Sequence, residues 1–448
     1  MGDLPISLSD LGRRAVAAAD SHEATVGVVG LGYVGLPLSL AFAESGFKVL
    51  GFDSDPKKVE AIERRTSYLR HIASPRLEAV AQRQLLAATS EMTRLKEPDA
   101  IFLCVPTPLT PQREPDLQYV QGTAHSVASA LRRGQLVVLE STTYPGTTEE
   151  VVRPILERSG LLVGEDFFLA YSPEREDPAN PHSDLRRIPK VVGGATPACL
   201  QVACAFYRQV VGQVIEVSST RVAEATKLLE NIYRSVNIAM VNELKLILDR
   251  LGIDIWEVIG AAATKPFGFQ PFYPGPGLGG HCIPIDPFYL SWKAREVELA
   301  ARFIELSGEI NAAMPYHVLN KIVEALNRGG KPLRGARILI LGVAYKRDVD
   351  DVRESPALKM IELLSAQGAQ VSYHDPFVPQ LRPMRRYRFE LGSVPLTDQE
   401  LRESDCVLIV TDHSEVDYQR IVDQASLVVD TRNATASCRG RARNVVPA

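Results

Sequence analysis

The chain has 448 residues, 45% of them apolar and 23% charged, with a net charge of −4. That length supports two or three domains with real cores, and the composition is that of an ordinary soluble globular protein. The mild acidity gives no electrostatic case for nucleic acid or an anionic membrane surface as a partner.

Residues 1–24 read as an arm or short helix. They contain no uninterrupted apolar stretch of the signal-peptide kind. No apolar run approaches the ~20 residues that span a bilayer, so no membrane association and a cytoplasmic location are expected. The six cysteines (Cys104, Cys199, Cys204, Cys282, Cys406, Cys438) do not form a disulfide framework, and no CxxC pair marks a zinc site. A reducing compartment and no metal follow.

From Thr25 the pattern alternates. Val26–Val29 reads as a strand, Gly30 to Gly35 as a tight turn, and Leu36 to Ser45 as a helix stopped by Gly46. Lys48–Asp53, Ala100–Val105, Leu136–Leu139 and Phe167–Ala170 read as further strands with helices between, the signature of a covered parallel sheet. From Thr220 the period changes. Ala225, Leu228, Ile232, Val236, Ala239 and Met240 recur every three to four residues, so one helix is expected to Arg250. Leu299 to Arg328 is helical in pattern and expected to break at Pro315. After a linker at 327–335 the alternation restarts, with strands at Arg337–Gly342, Gln370–Asp375, Cys406–Val410 and Leu427–Asp430 and a helix from Pro356 to Gln367. The fold class is therefore α/β: two Rossmann-like, doubly wound parallel sheets joined by an all-helical segment. The boundaries are 1–24 for the arm, 25–217 and 329–448 for the α/β domains, and 218–328 for the helical one.

Gly30-x-Gly32-x-x-Gly35 follows a strand and opens a helix, and Asp53 ends the next strand eighteen residues after Gly35. In that context the glycines form the turn that admits a pyrophosphate at the helix N-terminus, with Tyr33 and Val34 lining it. Asp53 accepts from the adenosine ribose, which selects NAD over NADP. Lys58 either leans on the ribose side or is a solvated lysine.

Gly275-Pro276-Gly277-Leu278-Gly279-Gly280-His281-Cys282-Ile283-Pro284-Ile285-Asp286-Pro287 is a shaped loop delivering one thiol, with a carboxylate four residues later. A thiolate adding to an aldehyde gives a hemithioacetal that can lose hydride to become a thioester. The oxyanion formed on the way needs donors. Lys227 and Asn231 sit one helical turn apart and can share a face, unless Lys227 is merely a surface lysine. His281 either lowers the pKa of the thiol or packs the loop. Thr142 and Thr143, after a strand, bind nicotinamide or a water, or else cap the helix at Thr147–Val151. Glu174 is a general base toward water or a carboxylate in an exposed charged loop. Lys346, Arg347, Arg353 and Arg432 follow strand ends, where cations suit a diphosphate.

Together these elements resemble the UDP-glucose/GDP-mannose dehydrogenase family, over Thr25 to about Asn433. The matching segments are Gly30–Gly35, Val105-Pro106-Thr107-Pro108, Thr142-Thr143, Ser172-Pro173-Glu174, Glu224 to Arg234, Gly279 to Pro287, Lys346 to Ser355, and Arg432. The resemblance implies oxidation of a sugar C6 alcohol to a carboxylate with two NAD and one water. It implies that Cys282 is the nucleophile, that Lys227 and Asn231 stabilise the oxyanion, and that Asp286 with Lys227 assists the first deprotonation. Glu174 then activates the hydrolytic water, and Thr143 positions it. Thr107, Thr142 and Arg353 are implied at the cofactor, and Lys346, Arg432, Gly279 and Gly280 at the UDP-sugar. The helix carrying Lys227 is implied to form a homodimer or higher oligomer.

The chain departs from the family pattern after Glu174, running Arg175-Glu176-Asp177-Pro178. Glu176 and Asp177 both remain candidates for the family's second glutamate. That spacing, with Arg187 to Gly194 after it, is similar to the bacterial UDP-N-acetylglucosamine 6-dehydrogenases of surface-polysaccharide pathways. UDP-glucose and UDP-N-acetylmannosamine are the alternative substrates. Outside the family, a two-electron hydroxyacid dehydrogenase and a non-catalytic dinucleotide-binding regulator remain as other classes.

Overall fold

The computed structural model describes residues 8–69, 72–110, 112–176, 186–280, 282–384 and 387–448. His281 and Asp177, both singled out in the sequence, lie outside the described residues. The chain forms two compact units. One comprises the described residues up to Glu230 together with Phe288–Leu299; the other comprises Asn231–Pro287 and Ala300–Ala448.

The first unit is built on an eight-stranded sheet: β1 (Thr25–Val29), β2 (Lys48–Phe52), β3 (Leu86–Thr89), β4 (Ala100–Leu103), β5 (Leu136–Leu139), β6 (Phe168–Tyr171), β7 (Lys190–Gly194) and β8 (Val214–Val217). The order is β3-β2-β1-β4-β5-β6-β7-β8, all parallel except the β6–β7 pair. The runs Leu136–Leu139 and Ala100–Leu103 are wholly buried because helices cover both faces, as a parallel sheet requires. The chain leaves β1 outward to β2 and β3 and returns on the other side as β4. That reversal opens a crevice at the carboxyl ends of β1 and β4, the usual ligand position in such sheets. The arm forms a helix, Asp10–Asp20, capped by Ser9 and packed on the helix Pro197–Tyr207.

The second unit holds a parallel five-stranded sheet: β9 (Arg337–Leu341), β10 (Gln370–His374), β11 (Cys406–Ile409), β12 (Val428–Asp430) and β13 (Val445–Pro447), in the order β10-β9-β11-β12-β13. Its switch point lies between β9 and β11. The helix Thr220–Arg250 runs from the first unit into the second with the limits its periodicity predicts.

The expected break at Pro315 does not occur: Arg302–Arg328 is one helix with Pro315 inside it. Proline there removes one intrahelical bond. Burial of Met314, Val318, Leu319 and Ile322 around it holds the helix together. The proline ring also has a use, since a Cβ on Gly277 of the cysteine loop would sit 3.5 Å from Pro315 Cγ.

Candidate active site

In the first unit the three fingerprint glycines each meet a different demand. Gly30 has φ +92°, and a Cβ there would lie 2.5 Å from the Cys104 carbonyl oxygen. A Cβ on Gly35 would lie 1.9 Å from the Gly30 carbonyl oxygen, so helix and strand pack only with glycine. A Cβ on Gly32 would meet nothing within 4 Å. Turn, packing and open approach are the three roles a dinucleotide cradle requires. The helix Gly35–Glu44 begins at Val34 with no side-chain cap. In its first turn the Leu36 N–H donates to the Gly32 carbonyl at 3.1 Å and Pro37 has no N–H, so what the helix offers an anion here is chiefly the positive end of its dipole.

Asp53, buried at the end of β2, accepts from the Leu31 N–H at 2.8 Å, the Asp55 N–H at 2.9 Å and the Lys58 ammonium at 2.9 Å. A carboxylate offers about four acceptor directions, so one remains for a ribose hydroxyl. Lys58 is thus bound to Asp53 rather than simply solvated. Thr107 lies on the loop after β4, and its carbonyl accepts from Tyr289 Oη at 2.7 Å. These residues fit a bound NAD.

On the loop after β5, Thr143 Oγ1 is buried and has no hydrogen-bond partner among the described residues. The capping alternative for Thr142 and Thr143 is not what the structure contains. The turn at Thr148–Val152 is capped instead by Glu224, whose carboxylate accepts from the Gly146 N–H at 2.5 Å and the Thr148 N–H at 2.9 Å. The Thr148 hydroxyl donates to it as well, at 2.7 Å. Burial outweighs these donors and pushes the Glu224 carboxyl up to about 7.

Glu174 is not an exposed loop carboxylate: its side chain is 13% exposed. Oε1 accepts from the Arg175 and Glu176 N–H groups, each at 2.6 Å, and Oε2 lies 3.1 Å from the Lys190 ammonium. Lys190 also pairs with Glu140 at 2.7 Å, and Tyr207 donates its hydroxyl to Glu140. Burial raises the Glu174 pKa, but the Lys190 ammonium, the Glu176 N–H and Lys227 outweigh it and hold the carboxyl below its ordinary range. Burial also dominates at Glu140, whose carboxyl is pushed up. For Lys190 the two acids overcome burial and keep the ammonium charged. Lys227 is 7% exposed, so the surface-lysine alternative fails, and its ammonium has no hydrogen-bond or ion-pair partner among the described residues.

In the second unit the loop 275–287 is pinned on several sides. The Gly275 N–H donates to Asn242 Oδ1 at 3.0 Å, and a Cβ on Gly275 would lie 2.6 Å from Arg432 Nη1. Gly280 (φ +81°) donates its N–H to the Arg353 carbonyl at 3.1 Å, and a Cβ there would press on the Tyr345 ring at 3.0 Å. Gly279 faces Tyr345 and Pro356 just as closely. The loop therefore sits against the segment after β9, which carries Lys346, and against Arg432 after β12. Arg432 Nε donates to the Val410 carbonyl at 2.8 Å, and burial lowers its pKa against the pull of Asp412 and Asp430. The Arg353 guanidinium is paired with Asp351 at 2.6 Å.

Cys282 is half-buried. Its carbonyl accepts from the Asp286 N–H at 2.8 Å, where the chain turns into the helix Asp286–Ala294. Asn231 Nδ2 donates to Asp286 Oδ2 at 2.6 Å, and both side chains are buried. The thiols of Cys104, Cys199, Cys204 and Cys406 are all pushed up by burial, the last two to about 12. A thiol that must ionise cannot sit in such places.

Sequence reasoning missed Glu140, Lys190 and Tyr207, and left Glu224 without a role. A lysine opening Lys190–Gly194 and a glutamate closing Leu136–Glu140, each at the end of a buried apolar strand, were the available signal.

Three matches to one family cover most of the chain. Residues 24–211 match the NAD binding domain of the UDP-glucose/GDP-mannose dehydrogenase family, 221–313 its central domain and 339–437 its UDP binding domain. The UDP-N-acetyl-D-glucosamine 6-dehydrogenase of Pseudomonas aeruginosa is 34% identical over 392 residues, covering 87% of this chain and 90% of that protein. The UDP-N-acetyl-D-mannosamine dehydrogenase of Pyrococcus horikoshii is 34% identical over 417 residues, covering 91% and 95%. A solved structure of the UDP-D-ManNAc dehydrogenase from Pyrococcus horikoshii superposes with a TM-score of 0.84 at 32% identity, covering 94% of this chain and 98% of that one.

Proposed function

This chain belongs to the UDP-glucose/GDP-mannose dehydrogenase family of NAD-dependent nucleotide-sugar dehydrogenases, and we propose that it oxidises the C6 hydroxyl of UDP-N-acetyl-D-glucosamine to the uronate for a surface polysaccharide. The observation that carries this reading is Cys282: a half-buried thiol on a glycine-shaped loop held against Arg432 and Tyr345, beside the buried Asn231–Asp286 pair.

Bound NAD supplies the hydride acceptor for both oxidations. It would be held by Gly30, Gly32, Tyr33, Val34, Gly35, Asp53, Lys58, Thr107 and Thr142, with Arg353 contributing. Lys346, Arg432, Gly279 and Gly280 hold the UDP-sugar. Asp286 with Lys227 takes the C6 hydroxyl proton through a water in the first oxidation.

The aldehyde formed there has no carbinol hydrogen until a nucleophile adds. Cys282 sulfur bonds to the aldehyde carbon, and Asn231 and Lys227, four residues apart on one helix, hold the oxyanion. The second oxidation leaves a thioester. Glu174 takes a proton from water as the water oxygen bonds to the thioester carbon, Thr143 positions that water, and the C–S bond breaks to return the Cys282 thiolate.

UDP-N-acetyl-D-mannosamine is the second reading, supported by the 0.84 TM-score to an enzyme named for that sugar. Comparing kcat/KM for the two acetamido sugars and UDP-glucose tests the substrate; a preference for either alternative overturns the choice. The helix Thr220–Arg250 exposes Leu229, Tyr233, Met240, Leu244 and Ile247 along its length. An apolar row of that size fits burial in a homodimer.

A further inference from the structure

Lys190 has no part in the chemistry assigned above, yet it carries a charge into the interior of the first unit at 2% exposure. Its ammonium bridges Glu140 and Glu174, at 2.7 and 3.1 Å. Each oxygen of Glu174 therefore has its own anchor: the loop backbone for Oε1 and Lys190 for Oε2. Among the described residues, the charged and titratable groups facing Glu174 come from four elements: Glu140 follows β5, Cys104 follows β4, Lys190 opens β7 and Lys227 lies on the long helix. Tyr207, at the end of the helix Pro197–Tyr207, reaches Glu140. On the loop itself, Arg175 pairs with Glu230 at 2.7 Å. Among the described residues Lys190 touches both carboxylates, while Lys227 acts on Glu174. Without Lys190 the two buried acids would lose the ammonium they share, and one of them would take up a proton.

We propose that Lys190 is a positioning residue for thioester hydrolysis, fixing Glu174 Oε2 as the acceptor for the water proton while Glu140 and Tyr207 hold the ammonium in place. The proposal rests on the reading of Glu174 given above. In the step concerned, one water proton passes to Glu174, the water oxygen bonds to the thioester carbon, and Cys282 leaves as thiolate. A protonated Glu174 cannot take the water proton. Loss of Lys190 therefore stalls the enzyme after the second oxidation and not before it.

The test compares full-length wild type, Lys190→Met and Lys190→Arg. Lys190→Met should lower steady-state kcat by roughly 10- to 100-fold, with KM for NAD and for the nucleotide sugar within about twofold. The acidic limb of its pH profile should move up by about one unit or more. Intact-protein mass spectrometry should show a sugar-derived acyl group accumulating on Cys282. Lys190→Arg should restore rate and profile. A Lys190→Met enzyme with the wild-type profile and no acyl adduct, losing only thermal stability, would overturn the proposal. Should that variant not fold, Tyr207→Phe keeps all three charges and should shift the profile in the same direction by less; an unmoved profile there also overturns it. Wild type that never makes two NADH per sugar defeats the Glu174 reading itself. Two NADH from wild type with an unshifted variant defeats the Lys190 proposal alone.

Discussion

Asn231 donates its side-chain amide to Asp286 at 2.6 Å, while Arg234 donates to the Asn231 carbonyl oxygen. The two contacts fix which end of the amide faces which neighbour. One N–H of Asn231 is left over, and in the proposed mechanism it meets the developing oxyanion. Asn231→Ala should therefore cost roughly 100- to 1,000-fold in kcat with little change in KM, the scale for losing one oxyanion donor. Steady-state kinetics checks it. A rise in KM at constant kcat would assign Asn231 to ground-state binding instead.

Gly275 has no room for a methyl group because Arg432 Nη1 would lie 2.6 Å from it. Gly275→Ala should push the guanidinium aside and raise KM for the nucleotide sugar about tenfold, as loss of one charge-assisted contact does, while KM for NAD stays put. Titration of UDP alone by calorimetry provides the check, since Arg432 is assigned to that moiety.

Glu224 makes a prediction about pH and stability. Its carboxyl is raised from 4.5 to about 7 in the folded chain, chiefly by burial. The folded state therefore keeps a proton that the unfolded chain has lost. Stability from this group is full below pH 4.5, falls as pH rises toward about 7, and is flat above. The loss is on the order of 3 kcal/mol. Glu224→Gln should remove that slope from a denaturant series run between those limits. An unchanged slope would mean that the Gly146 and Thr148 donors, and not burial, govern the group.

The exposed row Leu229, Tyr233, Met240, Leu244 and Ile247 predicts a dimer. Met240→Glu should shift the mass by light scattering from twice the chain to one. Retention of the larger mass in that variant would place the interface elsewhere.

Local chemistry was legible in the sequence. The Gly30–Gly35 turn, Asp53 at the end of β2 and the helix Thr220–Arg250 each follow from short-range spacing, and each stands where it was read. What was hidden depends on partners far along the chain. Glu140 and Lys190 are 50 residues apart and meet only because β6 lies between β5 and β7. Glu224 caps a turn 76 residues before it. At Pro315 the local rule against proline in a helix lost to burial of the residues around it and to contact with the cysteine loop.

The central claim is that Cys282 carries the sugar through a covalent intermediate. NADH formed per nucleotide sugar consumed tests it most directly, measured for wild type and Cys282→Ser with UDP-N-acetyl-D-glucosamine. The account predicts two NADH from wild type and loss of the second in the variant. One NADH from wild type, or two from the variant, would contradict it.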